Sequence, residues 1–236
     1  MTVDAAVLPT LLPIPEGEFL MGDNGGLHDE RPAHVVRLRP FLLARFPVTN
    51  GEYGCYLRAT GASEPRFWRD ERFNQAHQPA VGVSWFDAVT YCDWLTRLTG
   101  QAHRLPTEAE REFAALGGLA AARYPWGDEE PPLVGSWSRG AAGQDRPLRV
   151  SEAGPNGYGL CHMQDNVHEW CGEWYARDYY RTSPTEDPRG PAAGDRRASR
   201  GGAWRHDLKF SRIASRSSLP PHLRYNDYGF RVAAEI

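Results

Sequence analysis

The sequence predicts a single α+β domain, and three observations carry that expectation. Three helix starts with capping residues lie in the first half. Short strand-like runs lie near both ends. Between Gly118 and Arg197 the chain loses periodicity and becomes rich in Gly, Pro, Trp, Asp and Asn. With 236 residues the chain is long enough to bury a sizeable core. Eight tryptophans and 24 glycines suggest aromatic anchors that pin irregular backbone. No repeat or composition shift marks an internal boundary. Residues 1–13 read as an N-terminal extension and 14–236 as the domain.

The elements follow in order. "GEFLMG" (17–22) and "AHVVRLRPFLL" (33–43) read as an early antiparallel strand pair. "TNGEYGCYLRATG" starts a helix with Thr49 as N-cap, Glu52 completing a capping box and Gly61 as the stop. "SWFDAVTYCDWLTRLTG" repeats the device with Ser84 and Asp87. Its apolar face is Trp85, Ala88, Val89, Cys92 and Leu95, and Gly100 ends it. "PTEAEREFAALGG" pairs Thr107 with Glu110 and stops at Gly117 and Gly118; Glu108 and Glu110 suit the positive helix end. "RASRGGAW" (197–204) and "YGFRVAAE" (228–235) read as late strands. An irregular stretch of about 80 residues in a compact domain points to function or bound ions.

Composition excludes several classes. A net charge of −3 argues against a general nucleic-acid binder. The four cysteines, Cys55, Cys92, Cys161 and Cys171, form no CxxC pair and read as reduced thiols of a cytoplasmic protein. The N-terminal stretch lacks a basic n-region, and prolines interrupt its apolar run, so it is a poor signal peptide. No apolar run reaches membrane-spanning length, so no membrane partner is expected.

Several phrases, in order, carry a resemblance. They are "GEFLMG", "ERPAHVVRL", "FPVTNGEY", "QPAVGVSWFDAVTYCDWL", "HRLPTEAEREFAALGG", "YPWGDE", "PNGYGLCHMQDNVHEWCGEWY", "SRGGAW" and "YGFRVA". Together they resemble the formylglycine-generating enzyme (sulfatase-modifying factor) family over about residues 14–236. The resemblance implies a modified C-type-lectin fold of short antiparallel strands, two to three helices and much ordered loop. It also implies two cysteines after the RGG motif whose thiolates bind copper(I). Here Trp204 to Phe210 reads W-R-H-D-L-K-F, without cysteine. The family's serine after RGG is Ala203, and the tryptophan of its "NVWEW" is His168. Neither copper nor formylglycine-generating oxidation is therefore expected.

Two metal readings attach to "HMQDNVHEW". Family members often hold a structural calcium here. The corresponding ligands would be a side chain at His162, main-chain oxygens near Asp165 and Val167, and the Glu169 carboxylate, although His162 is a poor calcium ligand. The other reading follows the family's iron-dependent sulfoxide synthases. There His162, Asp165, His168 or Glu169, with His206, would bind non-haem iron in a divergent oxidoreductase. The plain reading of His168 is a packing residue in place of a tryptophan.

The last stretch divides in two. Trp204, Arg212, Ala214, Arg216, Pro221, Arg224, Gly229, Phe230 and Arg231 match the family frame, and its arginines are expected to be partly buried and paired. Arg205, His206, Asp207, Phe210, Ser211, His222, Tyr225, Asn226 and Asp227 fill the gaps with side chains suited to recognition. With Trp204 they form the expected ligand-binding surface. In the family's diversity-generating-retroelement members, variable residues occupy such gaps. From Arg205 to Arg224, five Lys/Arg against one acid give a local +4, leaving −7 for the rest of the chain. The leading expectation is thus a binding module for an unidentified protein or an anionic small molecule. The iron oxidoreductase and an accessory subunit are the alternatives.

Overall fold

The computed structural model describes residues 8–129 and 145–236. All three helices form where their caps predict. They are α1 (Asn50–Thr60), α2 (Trp85–Thr99) and α3 (Glu108–Leu116), each with a complete capping box and a left-handed glycine after its last turn.

Ten strands among the described residues form three small sheets. The first joins β1 (Leu11–Ile14), β4 (Phe41–Ala44), β10 (Ala233–Glu235) and β5 (His103–Arg104) in the order β1-β4-β10-β5, all antiparallel. The second pairs β2 (Gly17–Met21) with β3 (His34–Leu38). The third joins β6 (His168–Trp174), β7 (Arg197–Arg200), β8 (Arg216–Leu219) and β9 (Tyr228–Phe230) in the order β8-β7-β6-β9. Within it β6 and β9 run parallel.

Three expectations change. Leu11–Pro13 belong to β1, so the sheet begins inside the stretch read as an extension; Pro13 is tolerated because β1 is an edge strand. The run 33–43 is two strands in different sheets, separated at Arg39 and Pro40. The irregular middle contains β6, the central strand that carries His168 and Glu169. It lacks alternation because both of its faces are covered, with Trp170 and Cys171 wholly buried.

Two large apolar cores flank these sheets, beside a small one of Phe73, Val81 and Val167. One packs α3 on β2 and β3 through Phe19, Val36, Leu38 and Phe113. The other is aromatic and joins α1 and α2 to Trp170, Tyr228 and Phe230, with Tyr53 stacked on Tyr91 at 5.6 Å.

A charged frame lies between them. Glu108 of α3 accepts Nε and Nη2 of Arg216 at 2.8 and 2.7 Å and Nε of Arg200 at 2.9 Å. Glu169 of β6 accepts from Arg111 at 2.8 Å and from Arg231 at 3.0 and 2.9 Å. Arg111, Glu169, Arg200 and Arg231 are fully buried. Burial alone would raise the Glu169 carboxyl, but Arg111 and Arg231 outweigh it and hold it at about 2. Glu108 does more than complement a helix end, because it ties α3 to β7 and β8.

Candidate functional site

Sheet register brings three distant residues together. In the parallel pairing His168 stands opposite Tyr228, and its N–H donates to the Asp227 carbonyl at 2.8 Å. In the antiparallel pairing Glu169 stands opposite Arg200, so the RGG turn begins beside His168. Gly201 has φ +87°, in the left-handed region. A Cβ on Gly202 would lie 2.1 Å from Ser211 Oγ and 2.8 Å from the Gln164 carbonyl. Both glycines are therefore required for the turn that swings His206 back over β6.

At the meeting point His168 Nε2 lies 2.9 Å from His206 Nδ1, and His206 Nε2 lies 3.3 Å from Asp227 Oδ2. One ligating atom from each of the three residues falls within 4.8 Å of the others. Asp227 is 1% exposed; its Oδ2 accepts Arg205 Nε at 2.9 Å, while its Oδ1 is buried without a hydrogen-bond partner. His168 is also buried, and its Nδ1 has no well-aligned partner. Burial, with the neighbouring His206 charge, pushes the His168 imidazole down to about 3, so it is neutral. Burial lowers His206 as well, with Asp227 opposing.

A cavity of about 240 Å³ opens onto the two histidines of this cluster, lined by Leu27, His168, Gly201, His206, Phe210, Ser215, Arg216 and Ser217. Leu27, Phe210 and Tyr225 are more than 40% exposed near it in sequence or space. The His206 ring meets Phe210 edge-on at 5.8 Å, and Tyr228 covers His168 at 4.9 Å.

The other expected site residues divide. Arg205, Asp207, His222 and Tyr225 are exposed. Trp204 is frame: it packs on Phe73 at 6.1 Å, and its indole N–H donates to the Asn226 carbonyl at 3.3 Å. Ser211 is buried against Gly202 and offers no surface.

The predicted positive surface is neutralised. Arg205 pairs with Asp227 at 2.9 Å, Lys209 with Asp207 at 3.1 Å and Arg212 with Glu30 at 2.6 Å. Arg216 pairs with Glu108 at 2.7 Å and Arg224 with Asp87 at 2.8 Å. The local +4 is thus met by acids from other parts of the chain, and only Asp207 was visible in the local count.

The calcium set does not assemble as expected. Both Glu169 oxygens are held by guanidinium groups, which would repel a cation. His162 Nδ1 meets both Asp165 oxygens, at 3.1 and 3.0 Å. The carbonyl of Asp165 accepts the Val167 N–H at 2.8 Å. Copper(I) does not fit either, since no cysteine lines the cavity. Burial raises the Cys92 and Cys171 thiols, which makes them poor thiolates.

A short-stranded α+β fold whose RGG turn roofs a cavity over a central strand defines one class of protein. The family described as "Sulfatase-modifying factor enzyme 1-like domain" matches residues 2–236, and the chain belongs to it. The formylglycine-generating enzyme of Streptomyces coelicolor is 35% identical, covering 93% of this chain and 87% of that one. The serine/threonine-protein kinase pkn1 of Chlamydia pneumoniae is 37% identical over 98% of this chain, which spans 38% of that protein's length. Among solved structures, PvdO from Pseudomonas aeruginosa is 30% identical with a TM-score of 0.84, covering 97% and 95% of the two chains. No helix among the described residues is long and apolar enough to cross a membrane.

Proposed function

We propose that this chain is a ligand-binding member of the family that takes a small organic ligand in the cavity under the RGG turn. The observation that supports this most is the lining of that cavity. His168, His206, Ser215 and Ser217 line it together with the apolar side chains of Leu27 and Phe210. Few polar groups in a partly apolar pocket are the usual composition of a small-molecule site. Arg205, Asp207, His222 and Tyr225 are exposed, and Arg205 is tied to the cluster through Asp227. Because the arginines are paired internally, recognition on this reading comes from these groups rather than from a net positive field.

Fragment screening by amide NMR tests the proposal. Shifts should cluster on Leu27, His168, His206, Phe210 and Ser217, and Phe210→Ala should weaken the hits. Binding confined to another part of the molecule would overturn it. A form of this reading in which residues 204–228 are diversified predicts a near-copy of those codons beside a reverse-transcriptase gene.

A second reading, a metal-dependent oxidoreductase, is favoured by the two-histidine, one-carboxylate cluster. Its first requirement is a bound cation.

A further inference from the structure

We infer that His168, His206 and Asp227 bind one divalent first-row transition-metal ion at the inner end of the cavity, with open positions facing the ligand space. This rests on the reading of that cavity as the ligand site and gives the site its cation.

The first support is the set of donors. Two imidazoles and a carboxylate with atoms within 4.8 Å of one another suit iron, cobalt, nickel or zinc. Such ions hold imidazole nitrogen at about 2.0–2.1 Å, so two nitrogens at neighbouring positions on one ion stand about 3 Å apart. His168 Nε2 and His206 Nδ1 are 2.9 Å apart.

The second support is a hydrogen-bond mismatch. His206 spends its one neutral-state proton on Asp227 when Nε2 donates across 3.3 Å. His206 Nδ1 is then a lone pair facing His168 Nε2. If His168 carries its proton on Nε2, its Nδ1 is a bare lone pair in the buried interior, where the Gly201 backbone carbonyl is the nearby influence. If the proton sits on Nδ1 instead, two lone pairs face each other at 2.9 Å. With His206 donating to Asp227, either tautomer of His168 leaves an unmatched group, and a cation accepting both facing lone pairs removes the conflict. The third support is Asp227 Oδ1, an unpartnered oxygen on a carboxylate that is 99% withdrawn from solvent, at 1% exposure. Arg205 on Oδ2 then acts as an outer partner that orients the carboxylate.

The internal pairing of the arginines gives this ion a role. The cavity has no spare guanidinium, so an oxygen-donor ligand would gain its cationic contact from the metal. Leu27 and Phe210 would cover its carbon skeleton.

Cobalt(II) added to the full, metal-stripped chain tests the inference by calorimetry and visible absorption. The expected result is one equivalent per chain, with a ligand-field spectrum of mixed nitrogen and oxygen coordination. His206→Ala and Asp227→Asn should each weaken binding at least about tenfold. His77→Ala, at an exposed histidine outside both the cluster and the cavity, should leave it unchanged. Circular dichroism checks that each variant is folded, and His206→Ala, at a half-buried turn residue, keeps the test decisive if Asp227→Asn is not. Absence of saturable binding, or binding insensitive to His206→Ala, overturns the inference. Repeating the fragment screen in EDTA separates the two readings. Fragments that still map to the cavity while cobalt fails to bind remove the metal alone; cobalt binding without fragments removes the ligand reading alone.

Discussion

Two neighbouring regions of the third sheet treat charge in opposite ways. In the frame, Arg111, Arg200, Arg216 and Arg231 meet Glu108 and Glu169 in many-fold, fully buried contacts. One residue along β6 from Glu169, His168 has a nitrogen without a partner, and Asp227 has a bare oxygen. In the frame every carboxylate oxygen of Glu108 and Glu169 is taken by a guanidinium, and although Arg111 Nη1 lacks a partner, the frame fixes shape. The cluster differs in that His168 and His206 also line a cavity, which makes it the part able to accept something from outside.

That contrast can be broken at its strongest point. Glu169→Gln leaves two buried guanidinium groups short of an anion, and should cost roughly 3–5 kcal/mol in urea unfolding. Its pH dependence has a defined sign. The carboxyl is held at about 2 in the folded protein, against an ordinary value near 4.5. The stabilisation is fully present above about 4.5 and is lost as pH falls toward 2. The variant should lose that part of the acid dependence.

A pH effect of the opposite sign is expected at Glu173, whose Oε2 is buried and unpartnered. Burial and the nearby Glu108 charge raise its carboxyl to about 8. The folded chain therefore keeps a proton that the unfolded chain releases above about 4.5, so stability falls as pH rises from there through 8. Glu173→Gln should flatten that fall in melts taken between pH 6 and 9. A variant that falls as steeply as the parent would show that Glu173 is not the group responsible.

The smallest stability effects belong to the cluster side. Phe210→Ala, at a ring 42% exposed, should shift unfolding by no more than about 0.5 kcal/mol while weakening fragments in the cavity. A large loss of stability would move Phe210 into the frame.

What could be read from the sequence follows the same division. Helices α1, α2 and α3 were legible because a capping box spans only four residues. The resemblance supplied the fold and the arginine frame. The partners of those arginines were not legible, since Arg216 and Arg231 reach acids 108 and 62 residues away. Glu169 looked like a metal ligand because carboxylate next to histidine is a ligand pattern, and nothing local revealed its two guanidinium partners. His168, His206 and Asp227 each stood out, but in different roles. His168 and His206 are 38 positions apart, and only the parallel pairing of β6 with β9 and the turn at Gly201 bring all three together.

The most direct measurement is the cobalt(II) stoichiometry of the metal-stripped chain beside that of His206→Ala. One tightly bound ion is expected in the parent and at least about a tenfold weaker site in a folded His206→Ala. Equal binding in both, or none in the parent, would contradict it.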